Sequence, residues 1–151
     1  MKTQQSISIF LMATVIVLAP ALHAASPTFH FSFQRDGACQ ACSAMPPPGD
    51  EGPFEQKAGI DVMFNGFNQS TGQHWDNDNV QTYSVTYTYS LAGKTHSVTQ
   101  SAPGNAPSIT IKPYRVSELN EAQVVSITVT ASFATGPVTK TANSPNAFQL
   151  Y

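Results

Sequence analysis

A polar segment in the middle of the chain, HWDNDN, holds the side chains best suited to contact a ligand. Its alternating carboxylate and amide oxygens are ligands that a hard cation such as calcium prefers, and a neighbouring tryptophan can stack on a sugar ring. The glycine and the distal glutamate of an EF-hand loop are missing, however, and Asp and Asn are also ordinary turn residues. We therefore predict no resident metal, with calcium as a weaker alternative. The predicted ligand contacts are His74, Trp75, Asp76 and Asp78.

Both cysteines of the chain, Cys39 and Cys42, lie three positions apart beside a proline run. In an oxidising compartment they are expected to pair, and the small ring that a CxxC disulfide closes braces its own loop. A thioredoxin-type redox centre needs its first cysteine at the start of a helix inside a βαβ unit, and the sequence predicts no such helix. Zinc would need two more ligands, and the histidines are scattered. We predict a structural disulfide and no cofactor.

Residue patterns that carry catalysis are missing from the sequence. It contains no Gly-x-Ser-x-Gly elbow, no His-Glu-x-x-His pair, no phosphate-binding glycine loop and no Ser-x-x-Lys pair. Asp50, Glu51 and Glu55 stand beside prolines, which is typical of a solvated loop rather than of an acid–base pair in a cleft. We therefore expect that the protein is not an enzyme.

The first 24 residues have the pattern of an export signal. Lys2 provides a positive start, an apolar run follows from Ile7 to Ala19, and ALHA offers small residues for cleavage after Ala24. The apolar run is shorter than the ~20 residues that cross a bilayer, so we expect cleavage and a product that does not span the membrane. The predicted location is secreted or periplasmic.

Residues 25–151 are long enough for one domain with a hydrophobic core but not for two. This part carries six Lys or Arg against nine Asp or Glu, because Lys2 is removed with the signal. It has no basic run, and the clustered positive charge with which proteins neutralise nucleic-acid phosphates is therefore missing. The sequence predicts a single domain that does not bind nucleic acid.

The dominant pattern is that of β-strands with one buried face. In Val80–Leu91, Tyr and Val alternate with Thr and Ser, and Ala92-Gly93 provides a tight turn into a second strand that ends near Gln100. Gln123–Phe133 alternates in the same way and returns through VTKTA. Further strands are predicted at Thr28–Gln34, Ile60–Phe67 and Ser108–Tyr114 and, more briefly, in NAFQLY.

Seven or eight short strands of this kind predict a single immunoglobulin-like antiparallel β-sandwich, with a jelly roll or a partly open barrel as the alternative. The resemblance is to a fold class only, because the antibody pattern of two distant cysteines around a tryptophan is absent. Two stretches without a regular pattern, at about 35–59 and at 65–79, are predicted to be loops. Long loops within a compact domain commonly carry function.

These patterns together predict an exported, non-catalytic binding module. The expected partner is a surface glycan or another exported protein, contacted through loops 39–55 and 67–79. One alternative is a structural subunit of a surface polymer that assembles by adding the strand NAFQLY, and another is a small CxxC redox or metal-handling protein. Outward Thr and Ser rows at 82–90 and 126–132 would also suit a repetitive surface, although strand propensity alone explains them.

Overall fold

The computed structural model of the protein describes residues 26–36, 57–147 and 149–151. The predicted export signal, the predicted Cys39–Cys42 disulfide and the 39–55 loop lie outside these residues. Within the described ranges, no helix has the length and apolar character needed to cross a bilayer.

The described residues form β-strands almost throughout, joined by turns and by one short 3-10 turn at Val116–Glu118. In chain order the strands are β1 Ser32–Asp36, β2 Lys57–Met63, β3 Gly66–Asn68, β4 Gln73–Trp75, β5 Thr82–Leu91, β6 Lys94–Pro103, β7 Ser108–Arg115, β8 Gln123–Phe133 and β9 Gly136–Asn143.

Two antiparallel sheets make up the body of the domain. One has the strand order β1-β2-β7 and the other has the order β6-β5-β8-β9, while β3 and β4 form a separate two-stranded hairpin. The β5–β6 hairpin closes where predicted, with Ala92 at φ 50° and Gly93 at φ 73°. The prediction of an all-β antiparallel sandwich is confirmed, whereas the immunoglobulin-like label stays a prediction.

A single apolar core lies between the two sheets and draws side chains from both. Alternate residues of each strand face it, as the sequence predicts. The inward row of β5 is Tyr83, Val85, Tyr87 and Tyr89, and β8 contributes Ile127, Val129 and Ala131. The opposite sheet contributes Phe31, Phe33, Ile60, Val62, Ile109 and Ile111. The core covers the inner face of the three-stranded sheet and leaves its outer face for a further layer.

Several predicted boundaries are wrong. The first strand begins at Ser32 rather than Thr28, and the second runs from Lys57 to Met63, so both described ends of the predicted loop at about 35–59 belong to strands. The stretch 65–79 is not irregular, because it contains β3 and β4. Strands of three residues show too little alternation to be recognised in a sequence.

The predicted strand NAFQLY is reduced to a single paired residue within the described part of the chain. Tyr151 accepts a backbone hydrogen bond from Phe31 at 3.2 Å and donates one back at 2.9 Å. The rings of these two residues also stack, with centroids 5.3 Å apart. This segment therefore lies against the start of β1 within the same chain.

Threonine and serine side chains cover the outward face of the four-stranded sheet, which we call the hydroxyl face. Neighbouring hydroxyls hydrogen-bond across strand pairs, as between Thr86 and Thr99 and between Thr128 and Thr141, both at 2.9 Å. These four residues form one row across all four strands. The predicted outward rows are thus present and bonded to one another.

Raising the pH above about 10 is expected to destabilise the fold through its buried tyrosines. Burial raises the pKa of Tyr83, Tyr87 and Tyr89 above the ordinary value of 10.0. Unfolded tyrosines lose their proton above this pH while the folded ones keep it. Stability that is complete below about pH 10 therefore falls as the pH rises, by up to about 1.4 kcal/mol per pH unit for the fully buried Tyr87 and by less for the other two.

Thermal unfolding followed by circular dichroism between neutral pH and about pH 11 measures this loss. Tyr87→Phe should flatten the alkaline decline, because it removes the fully buried ionisable hydroxyl. A melting temperature that does not change over this range would contradict the expectation.

Candidate functional site

The β3–β4 hairpin is built around a contact between glycine and tryptophan. Gly66 lies directly across from Trp75, and a Cβ at Gly66 would stand 2.9 Å from the indole ring. Only glycine therefore leaves room for the ring. The turn is fixed by Asn68 Oδ1, which accepts the backbone N–H of Ser70 at 3.0 Å and that of Thr71 at 3.3 Å, and by Gly72 at φ 68°. The result is a short hairpin with a buried indole on one face.

The outer face of the three-stranded sheet provides a surface opposite this hairpin. Phe31 and Phe33 point into the core, so Ser32 between them points outward, and Met63 on β2 lies directly across from Ser32. Although it is on the outer face, Ser32 is only 1% exposed. Something outside the sheet must therefore cover it.

A cleft of about 370 Å³ lies between this sheet face and the hairpin. Ser32, Gln34 and Met63 line it from the sheet, and residues 66–70 together with Trp75 line it from the hairpin. Gln34 is held in place because its amide donates to Asp61 at 3.3 Å, and Asp61 also accepts the Thr110 hydroxyl. None of the described residues that line the cleft carries a charge.

Two residues that line this cleft each have a buried polar side-chain atom without a hydrogen-bond partner. The two atoms are Ser32 Oγ and Trp75 Nε1, and Trp75 is 7% exposed. Among the described residues they are the two buried side-chain atoms without a partner. Buried polar groups in folded proteins almost always have one, and an unpaired group costs about 1–3 kcal/mol. Both unpaired atoms belong to residues that line the same cleft, and this arrangement makes it the candidate functional site.

Of the four ligand contacts predicted from the sequence, Trp75 lines the cleft. His74, Asp76 and Asp78 are exposed and are not among the residues that line it. His74 lies across from Phe67, which is 59% exposed, in the neighbouring pair of the hairpin ladder. The tryptophan ring packs on Gly66 and its Nε1 is buried, which differs from the open stacking platform that the sequence suggested.

Three lining residues, Ser32, Gln34 and Met63, were not predicted from the sequence. Ser32 and Gln34 occupy the polar positions of an alternating strand, which usually face water. Nothing in the sequence indicates that a distant hairpin covers them.

Asn77, inside the predicted HWDNDN contact segment, has a structural role. Its amide oxygen accepts the backbone N–H of His30 at 2.7 Å, and its amide nitrogen donates to the carbonyl oxygens of His30 at 2.7 Å and Phe64 at 2.8 Å. The side chain thus ties the chain that follows β4 to the segments flanking β1 and β2. Within the described ranges, no group of three or more His, Cys, Asp or Glu side chains is placed to hold a metal ion.

Asn77→Ala is expected to lower the free energy of unfolding by about 2 kcal/mol, because it removes three hydrogen bonds and leaves partly buried backbone groups unpaired. The neighbouring Asp76→Asn change alters an exposed side chain and should stay within about 0.5 kcal/mol of the parent. Urea unfolding of the two variants measures the difference. Equal stabilities would show that Asn77 does not anchor this segment.

Comparison with known proteins adds no assignment. No protein family model, no curated protein and no solved structure matches the chain.

Proposed function

We propose that the protein is an exported, non-catalytic binding module that holds a neutral sugar unit of a surface glycan in the cleft between the β3–β4 hairpin and the three-stranded sheet. The observation that supports it most is that the two unpartnered buried atoms, Ser32 Oγ and Trp75 Nε1, belong to residues that line one uncharged cleft. A ligand that bonds both atoms would remove the cost of leaving them unpaired.

The chemistry of the lining favours a neutral polyhydroxyl ligand. The Trp75 N–H can only donate, so the ligand must offer an acceptor there, whereas the Ser32 hydroxyl can donate or accept. A sugar hydroxyl group meets both requirements. An ionised ligand would lose hydration without meeting an opposite charge among the described lining residues. The volume is near the lower limit of about 300 Å³ for ligand pockets, which suits one end of a glycan rather than a long segment.

Binding without catalysis is favoured by the same residues. Apart from the hydroxyls of Ser32 and Ser70, the described lining offers amides, a thioether, aromatic rings and glycine, with no acid or base to activate either hydroxyl. Export rests on the N-terminal pattern alone. The CxxC alternative depends on residues outside the described ranges and stays a prediction, as does another exported protein as partner.

The experiment is a titration monitored by tryptophan fluorescence, since Trp75 is the only tryptophan in the chain. Neutral oligosaccharides are compared with oligosaccharides that carry carboxylate or sulfate groups. We expect saturable emission changes with one or more neutral glycans and weaker changes with the charged ones. A flat response to the whole neutral panel, confirmed by calorimetry, would overturn the proposal.

A further inference from the structure

The two main sheets have four edge strands, and three of them carry features that discourage pairing with another strand. On β9, Pro137 has no N–H, and Lys140 points inward with its Nζ 5.4 Å from the centre of the Phe29 ring. β7 contains a lysine followed directly by a proline, Lys112 and Pro113. Proline and inward-pointing charges are the usual protections of edge strands. β1 has only five residues, and the backbone of Phe31, just before it, is already hydrogen-bonded to Tyr151.

The fourth edge, β6, has a lysine and a proline only at its two ends, Lys94 and Pro103. It is ten residues long, and positions 95–102 contain no proline and no Lys, Arg, Asp or Glu. Among the described residues, β5 is the only strand that is hydrogen-bonded to it as a sheet neighbour. A long exposed edge with unpaired backbone groups is a template for another strand.

The free backbone groups of β6 can be assigned from its pairing with β5. Gly104 donates its N–H to Gln81 at 2.8 Å, and in an antiparallel ladder every second residue bonds to the same neighbour. Residues 94, 96, 98, 100 and 102 therefore bond to β5. The residues between them have backbone N–H and C=O groups that point outward from the free edge, in the plane of the sheet. These residues are Thr95, Ser97, Thr99 and Ser101.

We propose that two copies of this chain pair antiparallel through β6, joining their four-stranded sheets into one continuous sheet around a two-fold axis. The edge suits a second copy of the same chain. Two antiparallel copies of β6 present the same uncharged row to each other, so that the free donors of one strand meet the free acceptors of the other. With the axis at Val98, His96 falls opposite Gln100 of the second copy, so no like charges meet. The hydroxyl face would then continue across the dimer.

This inference is independent of the proposed ligand and its cleft, which lies on the other sheet. Pairing through one strand covers less area than a standard stable interface. The dimer is therefore reversible and depends on concentration, and its closed symmetry distinguishes it from a surface polymer, which would keep growing.

The test measures mass in solution over a wide dilution series, together with residue-resolved hydrogen exchange. We expect the mass to rise from one chain to two, while the amides of Ser97 and Thr99 gain protection with concentration. Thr99→Pro should keep the chain monomeric, since it removes an outward N–H without touching the bonds to β5.

Thr141→Pro is the matched control. Ser144 donates its N–H to Val125 at 2.7 Å, so the N–H of Thr141 also points outward, on the opposite edge. Both threonines belong to the same hydroxyl row, and each substitution removes one side-chain hydrogen bond. Thr141→Pro should dimerise like the parent. A parent that stays monomeric throughout, a Thr99→Pro variant that dimerises, masses beyond two chains, or protection gained at Thr141 in the parent would each overturn the proposal.

Discussion

Alanine at Gly59 is expected to lower the free energy of unfolding by about 3 kcal/mol or more, the largest stability change we predict. Gly59 lies at the irregularity in the β2–β7 ladder, between Ala58 and Ile60. A Cβ placed there would stand only 1.7 Å from the carbonyl oxygen of Ile111. That atom belongs to the backbone of β7, so relief requires the strand itself to shift rather than a side chain to rotate.

The control for this change is Gly72→Ala in the β3–β4 turn. Gly72 has a positive φ of 68°, but a Cβ there would meet no atom within 4 Å. Alanine should then cost only about 1–2 kcal/mol for its backbone conformation. Denaturant unfolding of both variants separates steric conflict from conformational preference. If Gly59→Ala were no worse than Gly72→Ala, β2 and β7 would not approach as closely as described.

Ser32→Ala is expected to have opposite effects on stability and on ligand affinity. In the free protein it removes a buried hydroxyl that has no partner, so the free energy of unfolding should rise by about 1 kcal/mol. In the complex it removes a hydrogen bond to the ligand. The affinity for a neutral glycan should fall about tenfold to a hundredfold, with 1.4 kcal/mol corresponding to each factor of ten.

Calorimetric titration and urea unfolding of the same variant measure the two effects. Ser126→Ala is the control, because Ser126 lies on the hydroxyl face of the other sheet, away from the cleft. It should leave the affinity unchanged. A Ser32→Ala protein that binds as tightly as the parent would remove Ser32 from the site, whereas a loss of stability would mean that its hydroxyl already has a partner in the free protein.

Strand alternation is a strong signal where a strand is long. The inward rows of β5 and β8 were predictable because each repeats the pattern several times, and the turn at Ala92-Gly93 follows from its residue types. The hairpin of β3 and β4 was not predictable, since three residues cannot establish a period. The order of the strands depends on pairing between distant segments, which alternation does not specify.

The candidate site was predictable only in part. Trp75 was identified by its residue type, but the packing of its ring within the hairpin depends on Gly66, whose role appears only when the two strands pair. Ser32 has the polar character of an outward strand position, and it lines the cleft together with a hairpin that begins more than thirty residues later in the chain. Contacts of this kind come from tertiary structure and leave no local pattern.

The most direct test of the proposed cleft follows the single indole N–H resonance of Trp75 by nuclear magnetic resonance while neutral oligosaccharides are added. The account predicts that a binding glycan shifts this resonance and slows its exchange with solvent, as expected when Nε1 donates to the ligand. It would be contradicted if every glycan left the indole resonance unchanged, whether because none binds or because binding shifts only residues elsewhere.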